Sequence, residues 1–174
     1  SVGSVTLAIG ANDPGASNTK EVGTTGYIFG AIKGTAGSQE DMVWQSVRFN
    51  QSGSASKDDL VNVVVVDVTT GTAYPVTVSS DGKYYSANFG TGLSMKKGDN
   101  REVYIKGDIL SGSDRTINFD LYRYSDAVFK GVTFGYAVKP TASEVAAVAD
   151  DGAFHSANPN WDGRVTTVGK GSLR

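Results

Sequence analysis

Short runs of alternating apolar and polar residues, separated by clusters of Gly, Ser, Asn and Asp, cover almost the whole chain. Alternation with a period of two is typical of β-strands that bury one face, and Gly and Asn suit the turns that join them. The pattern predicts strands over the stretches 5–9, 27–32, 43–49, 60–68, 74–78, 84–89, 103–109, 117–124 and 132–138.

Two of these stretches indicate where their strands lie in a sheet. Val43, Val47 and Phe49 are spaced to share one face, and Gln45 interrupts that face. The stretch 60–68 is an almost continuous run of β-branched residues, which is typical of a strand covered on both faces. We therefore expect 60–68 to be a central strand.

The turn between 74–79 and 83–89 carries the strongest hairpin signal in the sequence. Asp81-Gly82 supplies the positive φ angles that a tight turn between antiparallel strands requires. Similar short loops separate most of the other strands. The sequence therefore predicts an all-β fold, an Ig-like antiparallel β-sandwich of about nine strands, with a closed barrel as the alternative.

The composition changes after Lys139. Residues 140–163 are small, polar and acidic, which is typical of a linker, although 142–149 also fits a short helix. A strand is predicted again at 164–168, and the stretch 167–173 resembles 1–7. We therefore divide the chain into a sandwich, 1–139, and a polar linker with an extra strand, 140–174. The similarity is either the start of a next repeat or chance.

Charge and composition exclude several classes of protein. The 174 residues include 16 Lys and Arg against 18 Asp and Glu, a net charge of -2, so nothing points to nucleic-acid binding. The absence of Cys excludes disulfide bonds and a thiolate zinc site. No apolar run approaches the ~20 residues of a membrane span.

Candidates for catalysis are few. His155 is the only histidine, and no G-x-S-x-G sequence accompanies it. The adjacent carboxylates that could serve a glycosidase lie in turn-like contexts, where Asp caps and solubilises: Glu40 and Asp41, Asp58 and Asp59, Asp150 and Asp151. Because no cofactor motif occurs either, we expect a protein that is not an enzyme.

The segment 158–163 matches the first half of a calcium-binding loop. Asn158, Asn160 and Asp162 place oxygen atoms at alternate positions before a Gly, but the twelfth position is Gly169 rather than Glu. A calcium site would need further ligands from Asp150 and Asp151. The alternative is an Asx turn in which Trp161 anchors the loop by packing.

Four aromatic residues are candidates for a sugar-binding platform, since Tyr and Trp stack on saccharides: Trp44, Tyr84, Tyr85 and Trp161. Tyr84 and Tyr85 are neighbours in one strand and point to opposite faces, so they cannot share a platform. Packing in the core is the alternative role for all four side chains.

Residues 38–124 carry motifs of a known family. They include EDMVWQSVRF at 40–49, FGTGL at 89–93, MKKGDNR at 95–101 and VYIKGDI at 103–109. In this order they resemble the Ig-like repeats of large bacterial cell-surface and S-layer proteins, notably those of candidate-phylum bacteria. The resemblance implies an exported, repetitive and architectural protein. It carries over no catalytic residue, and it implies that calcium is used at module junctions.

Together these observations predict a non-catalytic structural module of an exported cell-surface assembly, such as an S-layer, surface array or filament. Its partners would be copies of itself or neighbouring modules, joined through edge strands or the terminal segments 1–10 and 164–174. The alternative function is a carbohydrate-binding or adhesin module that binds a cell-surface glycan.

Overall fold

The computed structural model describes residues 3–14, 17–51, 53–121, 126–142 and 165–169. In these residues the chain forms fourteen strands and one 3₁₀ turn, Lys57–Asp59. The strands are β1 Val5–Ile9, β2 Ser17–Glu21, β3 Tyr27–Ala36, β4 Met42–Gln51, β5 Leu60–Asp67, β6 Ala73–Val78, β7 Tyr84–Met95, β8 Asn100–Ile109, β9 Thr116–Ile117, β10 Phe119–Asp120, β11 Ala127–Gly131, β12 Ala137–Val138, β13 Thr141–Ala142 and β14 Val165–Gly169.

The strands form a two-layered sandwich. The first sheet has the order β13-β1-β3-β8-β5, and the second has the order β7-β4-β11-β12, with β10 also paired to β4. Strand β6 joins the two sheets, because its first half pairs with β5 and its second half with β7. A third, small sheet has the order β2-β14-β9. Apart from the parallel pairs β1–β13 and β2–β14, neighbouring strands are antiparallel, so the predicted fold class is confirmed.

The β6–β7 hairpin forms at the predicted turn. Gly82 adopts a φ of +74°, and its N–H donates to the carbonyl of Ser79 at 2.9 Å. The N–H of Ser79 in turn donates to the carbonyl of Tyr84 at 2.9 Å, which closes the turn. A side chain that lacks the freedom of glycine would be strained at position 82.

Strand β5 is central, as predicted, since it pairs with β6 on one side and β8 on the other. The expectation that both of its faces are covered holds only for part of its length. The consecutive residues Val65 and Val66 are both buried, whereas Val63 and Val64 are half-buried and Val68, beyond the strand, is exposed.

The core between the sheets holds two groups of aromatic rings. In one group the ring of Trp44 lies 4.8 Å from that of Phe129 and 5.9 Å from that of Phe89. In the other group Tyr85 contacts Phe119 at 4.8 Å between ring centroids. All five side chains are buried, and burial of each one contributes on the order of 1.5–3 kcal/mol to the stability of the fold.

A large β-bulge interrupts the pairing of β4 with β7. Trp44 lies opposite Leu93 and Ser46 lies opposite Asn88, so only Gln45 faces the four residues 89–92. The bulge changes the phase of β4: Trp44 points into the core before it, and Val47 points into the core after it. The predicted face shared by residues 43, 47 and 49 is therefore wrong, because alternation does not continue through a bulge.

The stretch 132–138 is also different from the predicted strand. Strand β11 ends at Gly131, residues 132–136 form a turn, and only β12 follows as a strand. The chain then crosses from β12, which is paired to β11 in the second sheet, to β13, which is paired to β1 in the first. Pro140, which is buried, lies in this crossing.

The strand predicted at 164–168 is confirmed as β14, which pairs with β2 along its full length and with β9 at two residues. The division of the chain at residue 139 stays a prediction. The helix considered at 142–149 lies almost entirely outside the described residues. Among those that are described, no helix has the length and apolar character needed to cross a membrane.

Candidate binding surface

The outer face of the second sheet carries a groove of about 660 Å³ that runs across four strand segments. Its polar and apolar side chains come from outward positions in two rows, each row crossing β6, β7, β4 and β11 or the residue before it. The first row is Thr77, Ser86, Arg48 and Asp126, and the second row is Pro75, Asn88, Ser46 and Val128.

The rows follow from strand pairing. Ser86 pairs with both Thr77 and Arg48, and Ser46 pairs with both Asn88 and Val128. Because side chains alternate between the two faces of a sheet, residues two apart in each strand lie on the same side. Their intervening neighbours, such as Val47 and Ala87, point into the core, and their backbone forms the floor.

One end of the groove is organised by Arg48. Its Nη2 atom lies 2.8 Å from Oδ1 of Asp126, and its guanidinium carbon lies 4.4 Å from the ring centroid of Tyr84. Arg48 is about half exposed, while the Asp126 side chain is almost fully buried. The stacked ring and the ion pair therefore hold the guanidinium plane in one orientation at the edge of the groove.

A second cavity of about 360 Å³ continues the surface beyond the bulge. Ser46 and Asn88 line the first cavity, and Gln45 and Thr91 line the second, so the bulge separates the two. The Oδ1 atom of Asn88 accepts the N–H of Gly90 at 2.8 Å and holds the start of the bulge in place.

Four carboxylates are buried among the described residues: Asp126, which is paired with Arg48, and Asp59, Asp67 and Glu40, each of which holds loops or strands together. Asp67 is paired with Arg101 at 2.6 Å, and Asp59 with Arg115 at 3.0 Å. Burial raises the pKa of each Asp, but hydrogen bonds outweigh it, chiefly from Arg101 to Asp67 and from Ser111 to Asp59. The net result is a lowered pKa for both groups.

The buried Glu40 carboxylate binds backbone N–H groups rather than a cationic side chain. It accepts the N–H groups of Gly3 at 2.7 Å, Thr133 at 3.0 Å and Phe134 at 3.1 Å. The bond from Gly3 is the main cause of the lowered pKa of Glu40, and burial opposes it. A Cβ atom on Gly131 would collide with this carboxylate, so a larger residue there would displace Glu40 from its N–H partners.

The turn held by Glu40 is unusually apolar on its outside. Val132, Phe134 and Tyr136 are 57, 47 and 63% exposed. The N–H of Val132 donates to the carbonyl of Asp41 at 2.9 Å, and that of Gly131 donates to the carbonyl of Tyr136 at 3.0 Å. We call residues 131–136 the apolar turn, which joins β11 to β12, the last strand of the second sheet in the described part of the chain.

The structure corrects two of the expected sugar-binding residues. Trp44 and Tyr85 are buried in the core, where burial also raises the pKa of the Tyr85 hydroxyl, so neither ring can stack on a ligand. Tyr84 is half-buried beside the groove, but Arg48 covers one face of its ring. Trp161 lies outside the described residues.

The expected metal-binding residues also lie outside the described residues: Asn158, Asn160, Asp162, Asp150 and Asp151. So does His155. Within the described ranges, no group of three or more His, Asp or Glu side chains is arranged to hold a metal ion. The calcium hypothesis therefore stays a prediction.

Sequence reasoning missed the residues that form the groove. Arg48, Ser46 and Asn88 appeared only as polar positions in predicted strands. The alternation Tyr84, Ser86, Asn88 does place three residues on one outward face, which was a usable signal. The outward face of β4 could not be predicted from alternation, because the bulge shifts the phase of this strand at Gln45.

Comparison with known proteins gives no family. No model of a protein family matches the chain, and no curated protein matches its sequence. Among solved structures, a cohesin module from the family 33 glycoside hydrolase of Clostridium perfringens ATCC13124 is similar, with 11% sequence identity and a TM-score of 0.36. The match covers 82% of this chain and 98% of that module.

Proposed function

We propose that the chain is a non-catalytic structural module of an exported cell-surface assembly, which contacts copies of itself or neighbouring modules through the edge formed by β11, β12 and the apolar turn. The resemblance to Ig-like repeats of S-layer and other bacterial surface proteins is part of this proposal. So is an extracellular location.

The apolar turn is the observation that carries the proposal. Exposed apolar side chains scattered singly are normal, whereas three on one short turn form a patch typical of interaction sites. The buried Glu40 fixes the backbone beneath Phe134, so the patch is presented in one shape. Pre-organisation of this kind lowers the entropic cost of binding.

The neighbouring edge supports the same contact. An apolar cavity of about 320 Å³ lies between β11 and β12, lined by Ala127, Val128, Phe129, Ala137, Val138 and Lys139. Among the described residues β12 is the last strand of the second sheet, and the outer backbone of such a strand is where another strand can pair. A second copy could place its apolar turn in this cavity while the two edges meet.

The terminal segments are less suited to this role than the sequence indicated. Strand β14 is paired with β2 on one side and with Thr116 and Ile117 of β9 on the other. Strand β1 is paired with β3 along its length and with β13 at Thr6 and Leu7. Their hydrogen-bonding groups are therefore largely used within the chain.

The proposal is tested by measuring association of the purified chain over a range of concentrations with light scattering and negative-stain microscopy. We expect dimers or larger assemblies that the double substitution Phe134→Ser, Tyr136→Ser reduces to monomers. Leu110→Ser is the matched control, since Leu110 is 57% exposed but lies at the end of β8. A wild-type chain that stays monomeric, or a double variant that associates as the wild type does, would contradict the proposal.

Carbohydrate binding is the second candidate function, and the groove on the second sheet favours it. The groove combines hydroxyl, amide and guanidinium groups with small apolar surfaces, which are the contacts that a saccharide makes. Its residues differ from those of the apolar turn, so both functions can belong to one module.

A further inference from the structure

We propose that the groove binds a neutral oligosaccharide that lies across the strands of the second sheet. This inference rests on the second candidate function and names its ligand class and orientation. It does not depend on self-association through the apolar turn.

The charges of the groove favour a neutral ligand. Arg48 and Asp126 form an ion pair whose charges cancel, and the other lining side chains in the described part of the chain carry no charge. An anionic ligand would meet a guanidinium whose charge the Asp126 carboxylate already balances, and a cationic ligand would meet that guanidinium. A ligand with hydroxyl groups, in contrast, can donate to one partner and accept from the other.

The polar groups are arranged for hydroxyl recognition. The guanidinium plane of Arg48 is fixed by Tyr84 and Asp126, and it carries more N–H donors than the ion pair uses. Asn88 uses its oxygen to hold Gly90, which leaves its NH₂ group as a donor. Pro75 and Val128, at the two ends of the second row, offer apolar surface for the C–H groups of a sugar ring.

The backbone of the sheet disfavours an extended peptide as the ligand. Beneath the groove β4 is paired on both sides, with β7 and β11, and β7 is paired with β4 and β6. Main-chain recognition of an extended peptide takes place at a sheet edge, where backbone groups are unpaired. Binding in the middle of the face must therefore rely on side chains.

The dimensions fit a short linear chain of sugars. Four neighbouring strand segments span about 14 Å between their axes, and the two rows lie about 7 Å apart along the strands. The groove is therefore longer across the strands than along them. A linear oligosaccharide laid in this direction would contact both rows at once.

The test is a titration of the folded, isotope-labelled chain followed by amide chemical shifts. The probes are linear neutral hexasaccharides of glucose, xylose, mannose and N-acetylglucosamine, with oligogalacturonate and a neutral Gly-Ser peptide for comparison. We expect one or more neutral sugars to shift amides of β4, β6, β7 and β11 in a saturable manner.

Two variants and a control localise the binding. Ser46→Phe fills the middle of the groove, and Arg48→Gln removes the guanidinium group, so each should weaken binding at least about tenfold. Thr35→Phe is the control, because Thr35 faces outward on β3 of the first sheet. Its affinity should equal that of the wild type.

The outcomes separate this inference from the functions on which it builds. Saturable binding of oligogalacturonate in the groove, without binding of neutral sugars, would overturn the neutral ligand and keep carbohydrate binding. Binding of the peptide alone, or shifts unaffected by Ser46→Phe, would overturn both. Association measured on the same samples reports separately on the apolar turn.

Discussion

The two sheets bury similar inner faces, but their outer faces differ. On the first sheet, long side chains project from β3 and β8, and Lys33 lies opposite Glu102. Glu102 also accepts the N–H groups of Ala11 and Asn12, which draws the loop after β1 over this face. On the second sheet the corresponding positions hold small residues such as Ser46 and Ser86.

The difference shows how a flat sheet acquires a groove. Within the groove β4 and β7 pair in regular register from Ser46 opposite Asn88 to Asn50 opposite Tyr84, so the small outward side chains there form the depression. Large residues at the rim, Arg48 above all, and small residues in the middle leave a depression that crosses the strands. On the first face, longer side chains such as Lys33 and Glu102 stand at outward positions instead.

The largest expected effect concerns one arginine on each sheet. Arg101 of the first sheet is largely buried, and Arg48 of the second sheet stacks on Tyr84. Arg101→Gln leaves the fully buried Asp67 without its cation, so the free energy of unfolding should fall by about 3–5 kcal/mol. Arg48→Gln also leaves a buried carboxylate, Asp126, but the guanidinium that it removes is half exposed, so it should cost less, about 1–2 kcal/mol. Urea unfolding of both variants measures the difference, and equal losses would show that exposure does not decide the strength of these pairs.

The bulge that ends the groove should be the next most sensitive feature. Gly92 has a φ of +102°, and an added Cβ atom would meet the side chain of Val43. Gly92→Ala should therefore cost about 2–3 kcal/mol. Gly90, with a φ of +66° and open space around it, is the matched control, and Gly90→Ala should cost about 1 kcal/mol. Thermal unfolding that ranks the two variants in the opposite order would contradict the proposed crowding against Val43.

Lowering the pH should change the stability of the fold little near pH 7 and increasingly at acid pH. The folded-state pKa values of Glu40, Asp59 and Asp67 lie below their ordinary values of 4.5, 3.8 and 3.8. Stability from these groups is therefore fully present above about pH 4.5 and is lost as the pH falls through the folded-state values. Unfolding temperatures measured from pH 7 down to pH 3 should be level at first and then decline. A rise on acidification would contradict this assignment.

The variant Glu40→Gln sharpens the pH prediction. It removes the carboxylate that accepts three backbone N–H groups, so the decline with pH should become shallower. Lys33→Ala on the first outer face serves as a control, because it leaves Glu40, Asp59 and Asp67 in place. Its pH profile should run parallel to that of the wild type.

Local pattern and turn chemistry predicted most of the fold. The strands and the Asp81-Gly82 hairpin are decided by alternation and by a positive φ, both of which can be seen in a few consecutive residues. The phase of β4 could not be predicted in this way. It depends on the bulge opposite Gln45, which exists only when β4 and β7 are paired.

The candidate sites were harder to predict for the same reason. The sequence predicts that Glu40 lies in a turn. Its role depends on hydrogen bonds from Gly3 and Phe134, which are distant in the chain. Trp44 is attractive as an exposed aromatic until its burial is known. The groove likewise combines residues from four strand segments, and no single stretch of sequence contains it.

The parallel pairing near the two ends of the chain has a mechanical consequence. Tension applied between the two ends of the chain pulls β1 from its first residue and β14 from its last. Strand β1 is paired in parallel with β13, and β14 is paired in parallel with β2. In a parallel pair such forces act along the strands, so the hydrogen bonds share the load rather than opening one after another. Rupture is then governed by the rate of unfolding under load. A domain with this strand pairing would withstand stretching between its ends better than a hairpin of the same length.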